Sequence, residues 1–282
     1  MTALPLTAEP AQRSRRTRRA PTYQVVVAAL VLAVPLVTGL ATAPSTAWQH
    51  PMQIFEVMVG GAFTLLFGVV VVCFGCLMLT WQLGHRFITA TRTRQDVRQR
   101  LAGMAVRNAV TVFALFLATV VVLAAVAFTV APRLSFVMFD IGTGQLAPWP
   151  FPPASAALDQ RALTSNTWSF LYAHGWPVYA LAYGVFLGAG AAVWSTLGFL
   201  LVLVVPNRYL ALSLPLVILV MTDFVLQVGG VPQLSPVLTL FPVSIGAQPL
   251  WTVFMPVGLV ALATGALGWW CWRHADHLES LT

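Results

Sequence analysis

Few side chains in this sequence could do chemistry. Cys73 and Cys76, in "CFGC", have the spacing of a redox or metal pair. His274 and His277, with Asp276 between them in "RHADHLES", are spaced as two ligands on one helix face. Glu56 and Asp223 are carboxylates inside apolar runs, where a charge is costly and usually faces a cavity or a partner. A reactive thiol needs a helix amino terminus or nearby cations to lower its pKa. The two cysteines lie deep in an apolar stretch without either, and Cys271 is far away in sequence, so packing is their reading. Two histidines on a polar tail make an incomplete metal site, and no metal is assigned. Asp223 has no second carboxylate or histidine at helical spacing, which leaves a proton relay unsupported and a cavity or inter-helix role in its place. Glu56 opens its run and reads as an interfacial acid at a helix end. There is no nucleophile motif, so no catalytic residue is assigned.

The elements that must position these groups are set by composition. Of 282 residues, 59% are hydrophobic and only 8% are charged, against roughly 25% charged in a soluble domain. Six apolar runs stand out, at about residues 23–43, 55–83, 108–130, 177–205, 209–228 and 250–272. Each is long enough to cross a hydrocarbon core of about 30 Å at about 1.5 Å per residue. Lipid offers no partner to a backbone amide, so each run must be a helix. Continuous apolarity excludes a membrane β-barrel, whose strands alternate. The expectation is an all-α membrane protein with six transmembrane helices, made of a basic amino-terminal segment 1–22, a transmembrane domain 23–272 and a tail 273–282.

Charge sets the orientation. The chain has no lysine, and its fifteen positive charges are all arginine. With the amino terminus cytoplasmic, thirteen fall in cytoplasmic segments and only Arg133 and Arg161 fall outside. That asymmetry is the positive-inside pattern, and it places both termini in the cytoplasm. The net charge of +7 is thereby explained by topology and by attraction to anionic headgroups of the bilayer, with no nucleic-acid partner needed. The first run also has a basic start and an A-x-A at Ala41–Ala43, as a signal peptide would. It is long for one, and Pro44 would come directly after the cut, so it is read as an uncleaved span.

The loops differ from one another. "RFITATRTRQDVRQR", residues 86–100, carries Arg86, Arg92, Arg94, Asp96, Arg98 and Arg100. Further along the same segment, 84–107, Val97, Leu101, Met104 and Ala105 recur at helical spacing, which describes an amphipathic cytoplasmic helix. A solvated turn that obeys the positive-inside rule explains the charge, and the amphipathic pattern less well; a docking element for an acidic partner surface is the other reading, and the residues alone weigh the two about evenly. The outer loop 131–176 is rich in proline and aromatics, in "APWPFPP" and "WSFLYAHGWP", and reads as a compact cap or interfacial anchor. "GGVPQLSPVLTLFPVSIGAQPL" is apolar and broken by four prolines, which points to a re-entrant or interfacial hairpin. Gly184, Gly188 and Ala192 form a small-x-x-x-small ridge for close helix packing.

Three stretches together resemble the ABC-2-type permeases, the membrane subunits of ABC exporters. "TATRTRQDVRQRLAGMAVRNAV" is similar to their R-x-R cytoplasmic segment before the third span. "GFLLVLVVPNRYLALSLPLVILV" is similar to a small-residue fourth span that leads through an N-[RK]-Y turn into a proline-bearing fifth. "LSPVLTLFPVSIG" matches their proline-containing outer hairpin before the last span, whereas the outer loop 131–176 has no counterpart. The resemblance implies a permease bundle in a bacterial cytoplasmic membrane, with Arg86, Arg92, Arg94, Asp96, Arg98 and Arg100 in the coupling segment that meets a separate ATPase. It implies two ATPase copies holding ATP and magnesium, and a second permease chain, identical or related. This chain would carry no cofactor, in keeping with the absence of a Walker A run. Walls of Leu, Val, Phe and Trp favour hydrophobic or amphipathic cargo such as drugs, lipids or peptides. The competing reading is a non-transporting scaffold or sensor subunit whose arginines dock a signalling partner; a membrane enzyme ranks last.

Overall fold

A computed structural model describes residues 19–42, 50–84, 97–131, 137–140, 145–148, 166–241 and 247–274. In chain order these form α1 (Arg19–Thr42), α2 (Pro51–Gly60), α3 (Ala62–Gly84) and α4 (Val97–Ala125), which continues through a π turn, Val126–Val130. Next come an antiparallel ribbon, β1 (Val137–Asp140) with β2 (Gln145–Pro148), and a 3-10 turn, Ser169–His174. The remaining elements are α5 (Trp176–Val204), α6 (Arg208–Val228), a second 3-10 turn (Pro232–Leu234), α7 (Pro236–Leu240) and α8 (Leu250–Arg273). Among the described residues five helical stretches are long and apolar enough to cross a membrane, those of α1, α4 with its π turn, α5, α6 and α8. The chain is a helical, multi-pass membrane protein.

Two expected boundaries move. Residues 55–83 do not form one helix: it breaks between α2 and α3, where Gly61 takes ψ −119°. The paired Gly60 and Gly61 have no Cβ to resist the kink, and the Gly60 carbonyl accepts a hydrogen bond from Thr64 Oγ1 at 2.8 Å. Conversely, the amphipathic segment ending at residue 107 and the span starting at 108 are one helix from Val97 onward. No proline interrupts them, and the single Gly103 faces open space.

α5 is the axis. In its most apolar stretch 61% of residues are buried, against 17% in α1 and α6 and 22% in α8, so those three present broad faces to lipid. Its most extensive packing is against α4, with α3, α6 and α8 around the rest. Glycine makes this possible at Gly188, where a Cβ would stand 2.9 Å from the Phe113 carbonyl of α4. At Gly190 a Cβ would collide with the Leu240 side chain at the end of α7. Gly190 lies fourteen residues into α5, about 21 Å along its axis at the usual rise. The proline-broken segment after α6 therefore re-enters the bundle to mid-depth. Its residues Ser235, Pro236, Thr239, Leu240 and Phe241 are buried, and the Tyr183 hydroxyl donates to the Leu240 carbonyl at 2.9 Å.

Candidate functional site

Arg98 and Arg100 occupy the first turn of α4, half-buried, at the end of the bundle where α3, α5 and α8 finish and α6 begins. Leu101 is buried there with Leu79, Leu203, Ala211 and Cys271, and Val97, Met104 and Ala105 pack against the same cluster. The apolar side of the amphipathic pattern thus faces the bundle. Arg86, Arg92, Arg94 and Asp96 lie outside the described residues. Beside the cluster a groove of about 510 Å³ runs between α4 and α8, with α5 as its floor. Arg98 stands in its wall, and the rest is Leu, Val, Phe, Trp and small residues, with two threonines and Cys271. Both hydroxyls turn away from any ligand: Thr196 donates to the Ala192 carbonyl and Thr264 to that of Val260, each at 2.7 Å. The groove is hydrocarbon with one cation.

Glu56 lies in the second turn of α2 and has a partner from a distant part of the chain. It is half-buried on α2, and Asn166, itself buried, donates from Nδ2 to its Oε1 at 2.6 Å. The same amide lies 3.2 Å from the Tyr179 hydroxyl of α5, and Asn166 Oδ1 accepts from the Trp168 backbone at 3.0 Å. One asparagine from the connection before α5 thereby ties α2 to α5. The Trp168 ring packs tilted at 42° against Phe186 and edge-on to Phe254, and its indole N–H has no acceptor among the described residues. Beside this hub the 3-10 turn closes the mouth. Phe128 stacks on Trp176 at 5.8 Å and 10° and on Tyr172 at 5.7 Å, with the His50 ring edge-on to Tyr172. His50 also caps α2, accepting from the Met52 amide at its Nδ1.

Asp223, in the last third of α6, bonds both along its own helix and across to the next segment. Gln227, one turn on, donates to Oδ2 at 2.7 Å, and the Ser235 hydroxyl donates to Oδ1. Ser235 is the N-cap of α7 and accepts from the Leu238 amide. The carboxylate therefore fastens the start of the re-entrant segment to α6.

Of the packing ridge, Gly184 and Gly188 face α4, while Ala192 lines the groove. Cys76 is buried against Gly198 of α5, a packing position. His274 stacks on Trp270 at 4.9 Å, and His277 lies outside the described residues. Among the described residues no three His, Cys, Asp or Glu side chains converge as a metal site requires. A further inter-helix bond joins Asn108 Nδ2 of α4 to Ser195 Oγ of α5 at 2.7 Å. Sequence reasoning missed Asn166, Tyr179, Ser235 and the groove. The signals were a lone asparagine opening an aromatic run and the Ser-Pro pair that starts α7. Compared with known proteins, the chain matches no protein-family model, no curated protein and no solved structure.

Proposed function

We propose that the chain is the permease subunit of an ATP-driven exporter of hydrophobic or amphipathic molecules, powered by a separate ATPase docked at the arginine-bearing end. In this reading there are six spans, with α2 and α3 together forming the second, and both termini are cytoplasmic. The observation that carries it is the continuity of α4. The helix that bears Arg98 and Arg100 at its first turn runs on without a break to Ala125, and it packs along the central helix through Gly184 and Gly188. A force applied at the arginines would reach the axis of the bundle as a rigid-body displacement, not as bending of a hinge. Two further features accord with the resemblance to ABC-2-type permeases. The "PNRY" turn is tight, with Asn207 capping α6 through the Tyr209 and Leu210 amides, and α7, in the proline-containing stretch before α8, packs into the bundle against Gly190.

The test is purification of the full-length protein from its native membrane with identification of whatever accompanies it. Recovery of a Walker A ATPase, lost when Arg92, Arg94 and Arg98 are changed to Ser, is expected. A stable complex that contains no ATPase would replace the exporter with the scaffold or sensor reading.

A further inference from the structure

Pro51 opens α2 and has no amide hydrogen, so the Met52 N–H is the first donor that the helix leaves over. Met52 is 1% exposed, so water does not replace a protein acceptor there. The acceptor is the ring of His50, whose Nδ1 lies 3.1 Å from that amide. An imidazole nitrogen accepts only while it carries no proton, which puts the ring proton on Nε2, 3.4 Å from the Tyr172 hydroxyl. Asparagine, aspartate or serine at this position would make the same cap. Histidine is the one of the four whose charge changes between about pH 5 and 8. The same ring is built into the aromatic cluster at the mouth. It stands edge-on to Tyr172, with ring centroids 5.2 Å apart at 89°, and meets Phe128 at 6.4 Å and 65°. Phe128 stacks in turn on Tyr172 and Trp176. A proton on Nδ1 would set two N–H donors against each other and put a cation at the positive end of the α2 dipole. The ring must then turn away from Met52, and it cannot turn without displacing Tyr172 or Phe128.

We infer that His50 is a pH-sensitive latch: its neutral ring caps α2 and holds the aromatic lid of Phe128, Tyr172 and Trp176 closed, and protonation releases both. The sign follows from the cap, which only the neutral ring makes. The closed lid is favoured above about pH 6.5, the ordinary midpoint of histidine, and is lost as the pH falls below it. Of the groups around the ring, Phe128 and Trp176 carry no charge, and a tyrosine hydroxyl such as that of Tyr172 stays protonated throughout this range. Glu56, six residues on in the same helix, accepts from Asn166, and His174, two residues past Tyr172, is exposed. Arg133, Asp159 and Arg161 of the outer loop lie outside the described residues. The latch concerns one helix cap and one lid, so it is independent of the exporter reading and holds or fails without an ATPase.

The experiment compares the full-length wild type with His50→Asn and His50→Asp, which keep an acceptor at the cap and do not titrate between about pH 5 and 8. Thermal melts of the detergent-solubilised proteins, read by circular dichroism, should agree near pH 7.5. Near pH 5 the wild type should melt about 2–3 °C below both variants, the size expected for one lost cap. Titration of every other group is common to the three proteins and cancels in this difference. Hydrogen exchange read by mass spectrometry, corrected for the intrinsic effect of pH, supplies the local reading. In the wild type, protection at Met52–Phe55 and at Phe170–Trp176 should fall together by about fivefold on acidification. Both stretches should stay protected in His50→Asn. The same acid loss in the wild type and both variants overturns the inference. So does a loss at Met52–Phe55 without one at Phe170–Trp176, which would leave a titrating cap and no lid.

Discussion

The two ends of the bundle solve the same packing problem in opposite ways. At the end away from the arginines, chain from the connections fills the gaps between helices. Asn166 and the turn after it close one side, and α7 reaches Gly190 on the other. At the arginine-rich end α5 passes to α6 through Val205 to Asn207 alone, and α4 and α8 flank α5 with a groove between them. Between the described connections the difference follows length. A connection of dozens of residues can send side chains inward, and a three-residue turn cannot. It also sorts the chemistry. Asn166 and Ser235 are buried where connections bring partners to them, because an unpaired polar group is costly. Around the groove the described walls are apolar.

Four substitutions set the filled parts against the open one, each read as a thermal melt of the detergent-solubilised protein by circular dichroism. Asn166→Leu should have the largest effect. It removes the donor from Glu56 and the acceptor from the Trp168 amide, and groups orphaned in the interior cost about 1–3 kcal/mol each. A melt unchanged from wild type would mean that the loop does not hold this end closed. Gly188→Leu comes next, because its Cβ meets the Phe113 carbonyl and overpacking costs about 1–3 kcal/mol. Asp223→Ala should cost less, about 1 kcal/mol for the lost bond to Ser235. Its clearer signature is faster amide exchange at Leu238 to Phe241 with the rest of α5 and α6 protected, and uniform protection would show that α7 is held by packing alone. Gly265→Leu, on the groove wall, should be the mildest and stay within about 0.5 kcal/mol of wild type. Equal losses at Gly188 and Gly265 would erase the contrast.

Helices in this protein were legible because lipid leaves the backbone no other choice, and the apolar runs mark them directly. Their ends were less so. The kink at Gly61 has a local cause in two adjacent glycines, whereas the merger across residue 107 has none: positive charges signalled a surface segment, but charge does not stop a helix as a capping residue or a proline would. Asp223 was legible as an inter-helix carboxylate from its depth, though not its partner, which sits twelve residues on and past a turn. The partner of Glu56 was not legible, because it lies 110 residues away in sequence. Position along a helix says how deep a carboxylate is, and nothing about which loop comes back to meet it.

The π turn at Val126–Val130 has a consequence for sequence length. A π turn holds one residue more than an α turn of similar height. Losing a single residue there would restore a regular α ladder and leave the backbone no worse bonded. It would also rotate the residues beyond the deletion by about 100°, and carry Phe128 off Trp176 and Tyr172. The surplus residue serves the mouth of the bundle and not the helix that contains it, so insertion and deletion here act on the ring contacts of Phe128 before they act on the span.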